Sequence, residues 1–134
     1  MYLALLNDKE KELFLGLAYD LVTSDGEYSG AEKATIDGYC QEMMFKFNEK
    51  TMIRQIDSII DEFNRLSNDK VKRIIVFESI GLAMADNHYD IPERELIKKM
   101  EDSFGLEKEY ASCCEKLLNE YISFQDRIDS LVNK

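Results

Sequence analysis

Turn formers are scarce in this chain: one Pro and six Gly in 134 residues, too few for a protein of many short strands and tight hairpins. Cysteine is scarce too. There are three, two of them adjacent (Cys113 and Cys114), and an odd, unspaced set makes no disulfide framework and suits a reducing compartment. Tryptophan is absent and His88 is the single histidine. One imidazole without spaced cysteines is no zinc site, and His88 reads as a solvated loop residue. Positive charge is short, with 17 Lys+Arg against 27 Asp+Glu and a net charge of -10. Such a chain repels phosphate backbones, so nucleic acid is excluded as the expected partner; a basic protein, a basic peptide or a divalent cation fits better. Long apolar runs are missing as well. The run from Tyr2 to Leu6 is shorter than a signal-peptide core, has no basic flank and is followed at once by charges from Asp8 to Glu12. The expectation is a cytoplasmic protein without membrane insertion, with the whole chain retained.

What is present is helical periodicity. Apolar residues make up 45% of the chain, enough for the core of one domain spanning residues 1–134, and they recur three and four residues apart almost throughout. Asn7 with Glu10 forms a capping box that opens a first helix near Asp8, with the stripe Leu13, Phe14, Leu17, Ala18 and Leu21 and a stop near Asp25-Gly26. Ser29 with Glu32 opens a second, carrying Ile36, Tyr39, Cys40 and Met43. Asn48 is positioned to cap a third, with Met52, Ile53, Ile56, Ile59, Ile60 and Phe63. A fourth, from about Lys70 to Ala85, is apolar around most of its circumference and is expected at the centre of the bundle. Asp90 with Glu93 opens a fifth, with Pro92 in its first turn, where a missing N–H costs nothing, and Gly105 as its stop. A sixth runs from about Glu107 to Leu131. The expected fold is an all-α, compact helical bundle of six or seven helices.

The chain also repeats itself. The segment from Leu21 to Ile36 lies over Leu82 to Ile97 without a gap. Leu21, Asp25, Tyr28, Glu32 and Ile36 coincide in type with Leu82, Asp86, Tyr89, Glu93 and Ile97. Ser29 pairs with Asp90, both good caps, and Lys33 with Arg94. Gly26 pairs with Asn87, the two residue types best suited to a left-handed helix stop. Each copy reads helix, tight loop, capped helix, so the bundle is expected to contain two helical hairpins related by pseudo-symmetry.

Asp-Gly, an aromatic residue, a cap and a Glu seven positions after the Asp, duplicated in one chain, resembles the TerB-like domains of tellurite-resistance proteins. The resemblance covers roughly Leu13 to Phe104; the second copy departs from it with Asp86-Asn87-His88. It implies a helical bundle with a duplicated motif, a stress-response interaction module and no enzymatic activity. It also implies that the repeated acids, Asp25, Glu32, Asp86 and Glu93, are candidates to bind a divalent metal.

The same four residues have a purely structural role open to them. Ser29–Glu32 and Asp90–Glu93 are capping boxes, and Asp25 and Asp86 can accept loop N–H groups. Against that, an Asp at a helix C-terminus meets the unfavourable end of the dipole, at a cost of roughly 0.3–1 kcal/mol, which a cation or the next helix's N-terminus would offset. Neither loop is an EF-hand, because the twelfth position that should hold a bidentate Glu is Ile36 or Ile97. Ligands would come from both copies or from water, and all-oxygen ligands favour Ca²⁺ or Mg²⁺. No nucleophile–base motif, phosphate loop or dinucleotide fingerprint is present. Three readings follow. The first is a TerB-like interaction module that docks another protein and holds a cation. The second is a metal-free helical adaptor. The third, ranked lower, is a metal-dependent hydrolase built on the acids. The sequence leaves the oligomeric state open.

Overall fold

The computed structural model describes residues 1–23, 30–46, 48, 50, 52–53, 55–85 and 89–134. A 3-10 turn at Leu3–Leu5 leads into six α-helices: α1 (Asp8–Val22), α2 (Gly30–Met43), α3 (Ile56–Leu66), α4 (Asp69–Ala85), α5 (Ile91–Phe104) and α6 (Tyr110–Val132). There is no strand among the described residues, so the all-α bundle follows. No helix among them is long and apolar enough to cross a membrane.

The duplication is visible in the helix bounds. Displaced by 61 residues, Asp8 falls on Asp69, Gly30 on Ile91 and Met43 on Phe104. Burial follows the same register: Leu13, Phe14, Leu15, Leu21 and Ile36 are buried, and so are Ile74, Ile75, Val76, Leu82 and Ile97. The repeat begins earlier than the Leu21–Ile36 segment. Asn7 Oδ1 accepts from the Glu10 N–H at 2.9 Å, and Asn68 Oδ1 accepts from the Val71 N–H at 2.9 Å. Each Asn caps the first helix of its copy. The matching strings Asn7-Asp8-Lys9 and Asn68-Asp69-Lys70 were the available signal.

Several local expectations hold. The Asn7–Glu10 capping box is complete, with the Glu10 carboxylate returning to the Asn7 N–H at 3.0 Å. Gly105 ends α5 at φ 65, where a side chain would be strained, and the next N–H closes back on the Glu101 carbonyl. Cys114 is buried and Cys40 half-buried against the core, while Cys113 is exposed; none of the three is in a disulfide.

Others are corrected. Asn48 caps no helix: its side chain accepts from the Lys50 N–H in a local turn, and α3 starts only at Ile56, behind Gln55. The intervening Met52, buried, and Ile53, half-buried, pack against Gly16 of α1 outside any helix, so two apolar residues packed on α1 mimicked helical periodicity. Asp90 precedes α5 but its side chain makes no capping hydrogen bond. The expected Ser29 cap lies outside the described residues. Finally, α4 is not alone at the centre. Nine of the fifteen residues of α1 are buried, against eight of seventeen in α4. The two helices pack on each other, α1 also on α2 and α3, and α4 also on α5 and α6.

Candidate functional site

Of the four acids singled out by the repeat, Glu32 and Glu93 are described; Asp25, Asp86 and the neighbouring His88 lie outside the described residues. Glu32 sits in the first turn of α2 and is half-buried. Glu93 occupies the equivalent place on α5, is 8% exposed, and its Oε2 has no hydrogen-bond partner. A buried carboxylate oxygen left unmatched is costly, and a cation or an ordered water would relieve it. A hard divalent ion suits that oxygen chemistry. Glu10 shows the other use of a first-turn acid: it is also buried, yet it accepts from the Asn7 N–H and, at 2.6 Å, from the Ser67 hydroxyl. The described residues contain no group of three or more His, Cys, Asp or Glu side chains gathered for a metal.

Beside Glu93, Tyr89, Arg94 and Glu115 form a small polar pocket closed by Asn119 and Ile122 of α6. The Arg94 guanidinium lies 4.1 Å from the Tyr89 ring centre and pairs with Glu115 at 2.7 Å. The aromatic residue ahead of the cap is therefore held by the basic residue of its own copy, through a cation–π contact. Burial, reinforced by the Glu115 carboxylate, pushes the Tyr89 phenol up to about 12. Cys114 is raised first by burial, and Tyr110 above its ordinary range for the same reason. The Tyr110 hydroxyl donates to the Arg73 carbonyl at 2.8 Å.

A second feature was not foreseen from the sequence. A groove of about 510 Å³ runs between α2, α4 and α6, walled by Tyr39, Phe77, Met84, Leu118, Tyr121 and Ile122, with Gly81 on its floor. At one end the Met1 amine sits between Glu78, at 2.9 Å, and Glu42, at 3.1 Å. Burial opposes the amine's charge, but the Glu78 and Glu42 carboxylates outweigh it and raise its pKa above the ordinary 8.0. Glu78 is 7% exposed and also accepts from the Tyr2 N–H at 2.8 Å, so its charge is matched.

The groove continues into an exposed apolar face of α6. Cys114 and Leu118 are the buried residues of that helix, whereas Leu117, Tyr121, Phe124, Ile128 and Leu131 are exposed. The only sequence signal was that their spacing repeats at four and three residues; periodicity does not say which of two apolar faces is covered. Comparison of the chain with protein-family models, with curated proteins and with solved structures gives no match in any of the three.

Proposed function

We propose that the protein is a TerB-like stress-response interaction module, cytoplasmic and without enzymatic activity. It docks another protein through the apolar groove and the adjoining face of α6, and it holds a divalent cation, Ca²⁺ or Mg²⁺, at Asp25, Glu32, Asp86 and Glu93. The observation that carries the docking part is the continuous run of large apolar side chains from the groove along α6. Exposed apolar surface of that extent marks interaction sites in proteins that otherwise cover theirs. The cation part is supported by the unmatched Oε2 of buried Glu93 and by the repetition of that residue as Glu32. The metal-free adaptor keeps one specific observation in its favour, since Glu10 is a buried first-turn acid fully used as a cap.

Adding Ca²⁺ and Mg²⁺ while following backbone amide shifts tests the cation. Shifts centred on the two repeated loops, lost in Asp25→Asn with Asp86→Asn, are expected. Their absence at millimolar metal moves the reading to the metal-free adaptor. The docking surface is tested by Tyr121→Ser with Phe124→Ser, which is expected to abolish partner binding while leaving the helical circular dichroism of the parent.

A further inference from the structure

The α6 face has a geometry that specifies more than an apolar patch. The Tyr110 hydroxyl meets the Arg73 carbonyl, and Leu118 lies over Gly81, so α6 runs parallel to α4. Ala85, the last residue of α4, is level with Ile122, and both line the groove. Residues 123–132 therefore extend past the end of α4, by about 15 Å at ~1.5 Å per residue. Leu117, Tyr121, Phe124, Ile128 and Leu131 follow one another at spacings of four, three, four and three residues, the repeat of a coiled-coil seam. All are exposed, from 38% at Ile128 to 71% at Leu131. The seam adjoins the stripe formed by Cys114 and Leu118, which the bundle already covers, and Tyr121 lines the groove together with Leu118.

We propose that this seam is filled by α6 of a second copy of the chain, running antiparallel. The proposal rests on the interaction-module reading and names its partner. Charge decides both the partner and the direction. From residue 116 to 134 the bases Lys116, Arg127 and Lys134 balance the acids Glu120, Asp126 and Asp129, so the whole net charge of -10 resides in the remainder. Over residues 113–132, the stretch paired in the antiparallel register, Lys116 and Arg127 stand against Glu115, Glu120, Asp126 and Asp129, so a helix from another copy meets only a small part of the chain's net charge. In the antiparallel register Leu117 faces Ile128 of the second copy, and Tyr121 faces Phe124. Glu120, beside the seam, then falls on the same rung as Arg127 of the second copy, and two-fold symmetry supplies that pair twice. Among the described residues neither side chain has an ion pair within its own chain, and the Arg127 guanidinium lies 6.0 Å from the Phe124 ring centre, at the seam's edge.

A parallel register would set Glu120 against Gln125 and Arg127 against Val132, with no ionic pair, and would bring the two acidic bodies side by side. The antiparallel arrangement places them at opposite ends. Each overhang then covers the stretch of the partner helix that lies against its own bundle, and the four central layers are complete without a third chain.

Sedimentation of the full chain over a range of concentrations, with the two charge-reversal variants and their combination, tests this. The parent is expected to pass from one chain to two as concentration rises. Glu120→Arg or Arg127→Glu alone is expected to weaken the dimer about tenfold, and the double variant to restore it, because the antiparallel pair is then re-formed with its signs exchanged. All are surface changes, and circular dichroism checks that each stays folded. A parent that remains monomeric, or a dimer indifferent to both reversals, overturns the proposal. A photo-reactive benzoylphenylalanine replacing Phe124 in the native host separates this failure from that of the interaction reading. Cross-links to the chain itself support the dimer. Cross-links to other proteins alone overturn it and leave a docking module, and no cross-link at all overturns both.

Discussion

The two copies of the repeat agree in their first two helices and part company at the third. In the first copy α3 runs back along α1: Ser67, just past its C-terminus, meets Glu10 at the start of α1, and Ile53, ahead of α3, meets Gly16. In the second copy α6 runs parallel to α4, from Arg73–Tyr110 to Gly81–Leu118. The interior differs accordingly. Leu17 and Ala18 in the first copy are replaced, in register, by Glu78 and Ser79 in the second, all four buried. Gly16 is replaced by Phe77, which packs edge-on against Tyr2 at 5.9 Å. In the first copy the buried acid, Glu10, is answered from within the copy by the Asn7 N–H and the Ser67 hydroxyl, and the chain that follows closes the seam. The second accepts a buried acid because the start of the chain reaches it with an amine and an N–H, and it leaves one face of its third helix uncovered. A duplicated hairpin thus keeps its local frame while its surroundings change what each position must do.

The strongest way to break the comparison is to remove equivalent core side chains. Phe14→Ala is expected to cost about 3–5 kcal/mol and Ile75→Ala about 2–5 kcal/mol in chemical denaturation, since both are fully buried at the same place in their copies. A cost below about 1 kcal/mol at either would show that the two central helices are not equivalent. Next is Gly16→Ala. An added Cβ would overlap the Ile53 carbonyl oxygen, whereas one at Gly81 would have its nearest neighbour at 3.9 Å. The first change is expected to destabilise by roughly 1–3 kcal/mol despite alanine's better helix propensity, and Gly81→Ala to be neutral or stabilising. Thermal melts of the pair measure the difference.

The caps come third. Asn7→Ala and Asn68→Ala are each expected to cost about 0.5–2 kcal/mol, and Asp90→Ala less than either, because its side chain makes no capping bond. Equal losses at all three would return Asp90 to the role its sequence position suggested. The smallest effect is electrostatic and lies at Glu78, which shares the Met1 amine with Glu42 of α2. The Met1 amine has a raised pKa in the folded state, so its contribution is complete below its unfolded value. That contribution is lost as pH climbs past 8.0 and through the raised value. The melting temperature is expected to fall over that range in the parent, and the fall to shrink in Glu78→Gln, when the two are compared in one alkaline titration.

Much of the helical frame was legible in the residues because its signals are local. The Asn7–Glu10 box and the Gly105 stop are settled by groups within five residues of each other, and the stripe Leu13, Phe14, Leu17 and Ala18 by spacing alone. Asn48 misled because Asn serves turns as well as caps, and Met52 and Ile53 pack on α1 without being helical. Of the candidate site, the residue types and the equivalence of Glu32 and Glu93 were readable. The unmatched oxygen of Glu93 was not, because desolvation depends on what surrounds the first turn of α5.

By itself the sequence determined an all-α chain with a duplicated hairpin and the caps at Asn7 and Gly105, since these rest on hydrogen bonds and periodicity within single helices. The tertiary structure alone decided that α1 shares the centre with α4, that Glu78 is answered by Met1 and Tyr2, and that α3 and α6 run in opposite senses along their partners. It also decided which apolar face of α6 stays exposed. Each of these depends on contacts between residues far apart in the chain, and helical periodicity carries no information about which distant surface an apolar face will meet.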